Sequence, residues 1–232
     1  MRDMRTSEIT LIRDLPLFHE MSDAHFDELT EAAFLQRFPP RVQMISEGML
    51  PDFLHIVVEG SVELFATHEE RETTIDILQP VTTFILAAVI RDEPYLKSAR
   101  TLTDAQILML PAERVRDLFS RDAAFARAIV NELAARYRSV VRALKNEKLR
   151  SSAERLANWI LKADREQGGS GQVSLQHEKR TLASQLSMTP ENLSRNLALL
   201  ARHGIRSDGR DIVIDDRAAL TAFAKPTPLI DG

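Results

Sequence analysis

Lys179-Arg180-Thr181-Leu182-Ala183-Ser184-Gln185-Leu186, then Ser187-Met188-Thr189, then Pro190-Glu191-Asn192-Leu193-Ser194-Arg195-Asn196-Leu197-Ala198-Leu199-Leu200 is the stretch on which the fold turns. Apolar residues fall at Leu182, Ala183 and Leu186, and again at Leu193, Leu197 and Leu200. That spacing predicts two short amphipathic helices with a brief break between them. Thr189 suits the N-cap of the second helix, Pro190 its first position, and Glu191 its first turn, where the helix dipole favours a carboxylate. Pro190, Glu191, Ser194 and Arg195 then face outward near its N-terminal end. In a helix-turn-helix such positions reach base edges in the major groove. The stretch predicts a DNA-binding domain; its rival is a helical hairpin of an ordinary bundle with a solvated charged face.

The next segment supports the first reading. Gly204 is placed to cap the end of the second helix. Ile205-Arg206-Ser207 and Ile212-Val213-Ile214 flank Asp208-Gly209-Arg210, and an Asp-Gly pair between two β-prone runs predicts a hairpin. A two-stranded wing behind a helix pair is the winged-helix arrangement. From Ser174 to Arg206, Lys179, Arg180, Arg195, Arg202 and Arg206 stand against Glu178 and Glu191, while the whole chain carries a formal charge of −4. A local positive face in an acidic chain suits phosphate binding.

The 232 residues hold no cysteine. That excludes disulfides, thiolate-held iron–sulfur clusters, Cys-ligated haem and Cys-type zinc sites, and it fits a reducing cytoplasm, the expected location. Met1-Arg2-Asp3-Met4-Arg5 leads into no apolar run, so no signal peptide is expected. The longest apolar run, Phe84 to Ile90, falls far short of the ~18 residues of a membrane span.

Outward from the decisive stretch, the chain predicts an α+β protein in three parts. Residues 1–120 form a β-roll sensor domain, 121–148 a dimerisation helix and 149–232 the winged-helix DNA-binding domain. Residues 7–35 look helical, with Leu11, Ile12, Leu15, Leu17 and Phe18, then Ser22 capping Asp23–Phe34. Over 37–110 the period becomes two, at Val42 and Met44, at Leu54, Ile56 and Val58, at Val62 and Leu64, and at Ile75 and Ile77. Short, evenly spaced strands of this kind predict a double-stranded β-helix, or jelly roll. Ala112–Phe119 is a short helix; Asp122 then caps a long one to about Lys148. Along it Phe125, Ile129, Leu133, Tyr137 or Val140, and Leu144 make an apolar seam of coiled-coil type, the predicted dimer interface. Its start also suits packing on the roll. Arg136, Arg138, Arg142, Lys145, Lys148 and Arg150 crowd its far end, as a solvated face or one near DNA. Ser151–Glu166 is a further helix, and Gly168-Gly169-Ser170-Gly171 reads as a flexible loop.

Roll, long helix and winged helix in that order resemble the family of the cyclic-AMP receptor protein and FNR. The resemblance is carried by Ile45-Ser46-Glu47-Gly48, Asp52, Leu54, Ile56, Gly60-Ser61-Val62, Lys97-Ser98-Ala99-Arg100-Thr101 and the helix-turn-helix. Glu191, Ser194 and Arg195 match the Glu-x-x-Ser-Arg recognition pattern of the FNR branch. By resemblance, the partners are RNA polymerase and double-stranded DNA with a TTGA-like inverted repeat read by a homodimer. Lys179, Arg180, Thr189, Pro190, Glu191, Asn192, Ser194 and Arg195 are the expected DNA contacts. Arg195 suits bidentate pairing with guanine O6/N7, Glu191 a cytosine or adenine amino group, and Ser194 a thymine edge.

The effector region departs from the family's cyclic-nucleotide pattern. Nucleotide-binding members carry a Gly-Glu pair and an Arg-Ser-Ala strand start. Here the pair falls at Leu86-Ala87 and the arginine is Lys97. A phosphodiester left without its hydrogen bonds would cost several kcal/mol, so cyclic AMP is not expected. The expected pocket, Phe84, Leu86, Ala87, Lys97 and Ser98 with Phe125 and Ile129, is apolar and suits haem, a small apolar ligand, or no ligand. The chain is most similar to the cysteine-free DNR and NnrR groups, which implies nitric oxide sensing through haem and control of denitrification genes. The haem ligand would come from His19, His25, His55 or His68, since His177 and His203 lie in the DNA domain. A surface or hydrogen-bonded role is the plainer reading of each. His55 shares a strand face with Val57 and Glu59, opposite the apolar Leu54/Ile56/Val58 face. A constitutive or cyclic-nucleotide-responsive regulator of the same family and an adaptor dimer without DNA binding are rivals. A cupin-type metalloenzyme would need His-x-His, where only His55 and Glu59 are present, so no enzyme is expected.

Overall fold

The period-two run closes into a two-layered roll. Its strands are β1 (Phe34–Phe38), β2 (Gln43–Ile45), β3 (Phe53–Glu59), β4 (Val62–His68), β5 (Arg71–Leu78), β6 (Thr82–Phe84), β7 (Ser98–Thr101) and β8 (Ala105–Pro111). One sheet runs β1-β8-β3-β6 and the other β2-β7-β4-β5, with every pairing antiparallel. The computed structural model describes residues 6–231. Met1–Arg5, on which the signal-peptide expectation rests, lie outside the described residues, as does the Leu11 side chain. Gly60 makes the β3–β4 turn with φ +81°; a Cβ there would lie 2.2 Å from the Asp104 carbonyl oxygen, so no larger residue fits.

Ile45, Val57, Leu64, Leu78, Phe84, Ala99 and Ile107 fill the space between the sheets. Leu54, Ile56, Val58, Leu108 and Leu110 point the other way, into a second core built with helices. β3 is therefore buried on both faces, and His55 is only 4 % exposed. His55 and Val57 do share the face opposite Leu54, Ile56 and Val58, but that face is buried as well. A strand at the centre of a covered sheet has no solvent side.

The helices of this half are α1 (Thr6–Arg13), α2 (Asp23–Glu31), α3 (Leu86–Arg91), α4 (Ala112–Arg121) and α5 (Ala123–Leu149). The expected helix over 7–35 breaks after Arg13, and Phe34 opens β1 instead of closing α2. Leu15, Leu17 and Phe18 remain core residues, but in turns next to Pro16. The Arg13 guanidinium ties this segment down by donating to the Phe18 and Met21 carbonyls. Ser22 caps α2, accepting from the His25 N–H, and Asp122 caps α5, accepting from the Phe125 N–H at 2.9 Å.

The chain divides into two units, residues 1–136 and 137–232. The division passes through α5, so the first half of the expected dimer helix belongs with the roll. Phe125 and Ile129 are fully buried in the helix-side core, with Phe125 stacked on Phe18 at 6.2 Å, and Leu133 packs against the same core. They are not free to meet a second chain, which corrects the predicted seam at its start. The apolar residues left exposed on α5 include Val130, Tyr137, Val140, Val141 and Leu144. Val130, Ala134, Tyr137, Val141 and Leu144 follow one another at spacings of 4, 3, 4 and 3, a heptad seam.

The second unit holds the rest of α5, then α6 (Ser152–Glu166), β9 (Gln172–Ser174), α7 (Lys179–Gln185), α8 (Pro190–Leu200), β10 (Ile205–Asp208), β11 (Asp211–Ile214), α9 (Arg217–Ala224) and α10 (Pro228–Asp231). The Ser151/Glu154 capping box starts α6. The wing has three strands, in order β10-β11-β9, where two were expected. Gly204 caps a short 3-10 turn (Ala201–His203) that follows α8, not α8 itself; its φ of +85° and its contact with Asp216 admit only glycine. The glycine loop 168–171, expected to be flexible, is tied down. Buried Asp164 accepts from the Gly171 N–H and pairs with Arg217, while its backbone carbonyl accepts from Gly169.

Candidate DNA-recognition surface and effector region

Ser187, with φ +52°, makes the corner between α7 and α8. Helix ends leave carbonyls without partners. Here Arg155 on α6 supplies them, donating to the Leu186 carbonyl at 3.0 Å and the Ser187 carbonyl at 3.2 Å. Leu193, Leu197 and Leu200 pin α8 to the core with Leu182, Ala183 and Leu186 of the preceding helix and turn. Buried Asn196 reaches the Met188 sulfur. Thr189 Oγ1 accepts from the Asn192 N–H at 3.2 Å, the expected N-cap.

Pro190, Glu191, Ser194 and Arg195 are exposed along one side of the first turns of α8, while Asn192 is half-buried. The Ser194 hydroxyl donates to the Pro190 carbonyl at 3.1 Å, leaving its oxygen lone pairs outward. The Glu191 carboxyl is held below the usual carboxylate range by its own backbone N–H, by Thr189 and by Arg195 one turn on. It is an acceptor at neutral pH, suited to a base amino group. Lys179 and Arg180 are exposed in the first turn of α7. Arg206, counted above in the positive face, is instead held by both oxygens of Asp215 at 2.6 and 2.8 Å.

The seven residues expected to line one effector pocket are not brought together. Phe84 lies between the sheets; Leu86, Phe125 and Ile129 lie in the helix-side core; Ala87 is exposed. The cause is local. Ile85, in the left-handed region at φ 63°, starts α3, which turns Leu86 and Val89 to one core and leaves Ile85 and Ala88 against the other. Ser98 Oγ is buried and accepts from the Glu47 N–H. Burial pulls the Lys97 ammonium below its usual range, with Asp76 opposing and Arg136 adding to the effect. Arg136 itself donates to Glu132 and to the Thr83 carbonyl, and the Thr83 hydroxyl donates to Glu132 at 2.9 Å. The region expected to be largely apolar thus carries a charged cluster where β6 meets α5.

Two histidines of the roll unit stand out. His55 is stacked on Phe84 at 5.2 Å, lies opposite Met109, and its Nδ1 has no hydrogen-bond partner among the described residues. Exposed His19 lines an open cleft of about 750 Å³ with Pro16, Leu17, Arg127, Ala128 and Glu132. Sequence reasoning missed this cleft, because the 14–20 turn and the side of α5 that form it are a hundred residues apart. Among the described residues no cluster of three His, Asp or Glu suits a metal, and no helix is long and apolar enough to cross a membrane.

A β-roll followed by a long helix and a winged helix-turn-helix, with Glu191, Ser194 and Arg195 exposed on its second helix, defines a transcription regulator with a sensor domain. Residues 35–122 match the cyclic nucleotide-binding domain family, and residues 154–223 the Crp-like helix-turn-helix domain family. The cyclic AMP receptor protein of Thermus thermophilus is 30% identical over 207 residues, covering 88% of this chain and 94% of that protein. The chain belongs to the CRP/FNR family of transcription regulators, which bind DNA and act as dimers. A CRP/FNR-family regulator from Eubacterium rectale shares the fold at 18% identity and a TM-score of 0.73, covering 91% of this chain and 99% of that one. DNR from Pseudomonas aeruginosa shares it at 22% identity and a TM-score of 0.51, covering 96% and 100%.

Proposed function

We propose that this chain dimerises along Val130, Ala134, Tyr137, Val141 and Leu144 and reads an inverted repeat of TTGA-like half-sites. The observation that carries the specific reading is the exposed Glu191–Ser194–Arg195 set at the capped start of α8. Arg195 pairs with a guanine and Glu191 with an amino group, while Lys179 and Arg180 hold phosphates. Arg195→Ala should weaken operator binding by roughly 1–3 kcal/mol and relax the preference at one base pair, measured by competition among single-base operator variants. Equal weakening on matched and scrambled DNA would make Arg195 a phosphate contact only. Bound to its operator, the dimer engages RNA polymerase.

The effector is a small molecule other than cyclic AMP. Leu86 is buried in the helix-side core and Ala87 has no polar side chain, so neither side chain offers a cyclic nucleotide what the glutamate of a Gly-Glu pair does. Nitric oxide sensed through haem, with control of denitrification genes, is the reading that the sequence resemblance favours. The cleft is wide enough for a haem and offers His19 as a candidate ligand, but Asp14, Glu20 and Glu132 also line it and Arg127 is paired with Glu20, so its charge does not suit the propionates. The roll interior offers the His55 nitrogen but is filled around it. Haem, when bound, would supply an iron to which nitric oxide binds. Titrating the purified protein with haem should give a Soret band that His19→Ala shifts or abolishes and His55→Leu leaves in place. Micromolar cyclic-AMP binding that tightens the operator complex would overturn the effector reading, and operator affinity unmoved by any of these ligands would favour a constitutive regulator.

A further inference from the structure

The elbow between α5 and α6 is held by a segment far from it in sequence. Arg150, one residue past the end of α5, is 7 % exposed at its side chain, and its guanidinium donates to both carboxylate oxygens of Asp231 at 2.6 Å each. The same guanidinium donates to Asn146 Oδ1 on the last turns of α5 at 3.1 Å and reaches the Lys225 carbonyl at 3.4 Å. Asp231 Oδ2 also accepts from the Thr227 N–H at 2.7 Å, so one carboxylate organises both the elbow and the turn before α10. Lys145 on α5 adds a bond to the Leu229 carbonyl. On the other side of the elbow, Arg155 donates to the Arg150 carbonyl at 3.0 Å, besides the Leu186 and Ser187 carbonyls at the helix-turn-helix corner. A continuous set of charge-assisted hydrogen bonds therefore runs from Asp231 through Arg150 and Arg155 to the corner that aims α8.

We infer that Asp231 and Arg150 form a clamp that fixes the α5–α6 elbow, making them positioning residues for two-site DNA binding, though neither touches DNA. Two features set this pair apart from the chain's surface ion pairs. It is bidentate and largely shielded from solvent, so its geometry is narrow and it is less screened by salt than the exposed pairs. It also sits where the dimer helix hands over to the DNA-binding domain, where a small rotation carries α8 a long way. A single recognition helix finds its half-site whatever the elbow angle, but two helices bind one repeat only if both elbows hold the spacing.

The inference rests on the DNA-binding reading, and its test separates the two. A duplex is selected from random-sequence DNA by the full-length wild-type protein, and a second version has one half-site scrambled. Asp231→Asn keeps the shape of the side chain and removes its charge. It should lower affinity for the paired duplex by about tenfold relative to wild type, leave the single half-site unchanged, and widen the tolerated half-site spacing. Amide exchange should rise over residues 146–155 while α8 keeps its protection. Equal loss on paired and single sites, or no change on either, overturns the clamp while leaving DNA binding intact. Should Asp231→Asn impair folding, Lys145→Met, which removes only the bond to Leu229, is expected to change affinity in the same direction to a smaller degree. An unchanged spacing preference in that variant would also overturn the inference.

Discussion

Val141→Glu is expected to give a monomer that no longer holds its operator. Val141 lies within the exposed heptad seam of α5, with Tyr137 71 % and Leu144 52 % exposed on either side. At a two-fold interface one substitution appears twice, so two glutamates would face each other in an apolar seam without counter-ions. Leaving such charges unpaired costs about 3–5 kcal/mol, enough to dissociate a dimer of ordinary affinity. The monomer would keep an intact α8 but lose the gain from holding two half-sites at once, roughly 10²–10⁴-fold. Sedimentation velocity and titration of paired and single half-sites measure both consequences. Val141 does not pack into the roll unit's cores, so melting of that unit should be unaffected. A Val141→Glu protein that remains dimeric would move the interface to the β-rolls.

The sequence seam ran through Phe125, Ile129 and Leu133 because an apolar residue every three to four positions looks the same whether it meets a roll or a second helix. The two tracks are offset around α5. Phe125 and Ile129 belong to the first, and Val130, Tyr137, Val141 and Leu144 to the second. Only the position of Phe18 and of the sheet beneath it separates them, and that is long-range information. The helix-turn-helix was legible for the opposite reason. Thr189, Pro190 and the leucines of α8 act within a few residues of one another, so cap, start and buried face are all local. Alternation made β2 to β5 legible, although His55 makes the doubly buried β3 look half-polar; β1 read as the end of a helix, and β9 was not expected. The clamp was invisible, since Arg150 and Asp231 are separated by 81 positions. In the sequence Arg150 stood as one of six basic residues on a face. Among those six, Arg136, Lys145 and Arg150 are engaged inside their own units, so the excess near the end of α5 is less a DNA-facing surface than its count suggested.

The β-roll should lose stability on mild acidification, and His55 should be the reason. Burial among Phe84, Met109 and the sheet around them pulls the imidazole from 6.5 down to about 4, against a weaker opposing pull from the Phe53 backbone. The folded state therefore keeps His55 neutral where the unfolded chain would protonate it. Between pH 4 and 6.5 the unfolded state binds the additional proton, so stability rises with pH across that window and is level above it. The depth of the effect is about 2 kcal/mol lost by pH 5 and about 3 kcal/mol by pH 4. The carboxylates held low in the fold, Asp122, Asp231 and Glu154, act in a more acidic range. Their ordinary values are 3.8, 3.8 and 4.5, so their contributions fade only as pH falls through and below those values. The interval from pH 6.5 to 5 thus lies above these carboxylates, and comparison with a variant lacking the imidazole isolates His55 from the other histidines. Urea unfolding of wild type and His55→Leu at pH 7, 6 and 5 tests it. Wild-type stability should fall across the series while the variant, with an apolar side chain in the same apolar layer, should stay nearly flat. Parallel slopes for the two proteins would show that the imidazole is already protonated in the folded roll, or that it reaches solvent through a motion that leaves the rest of the sheet in place.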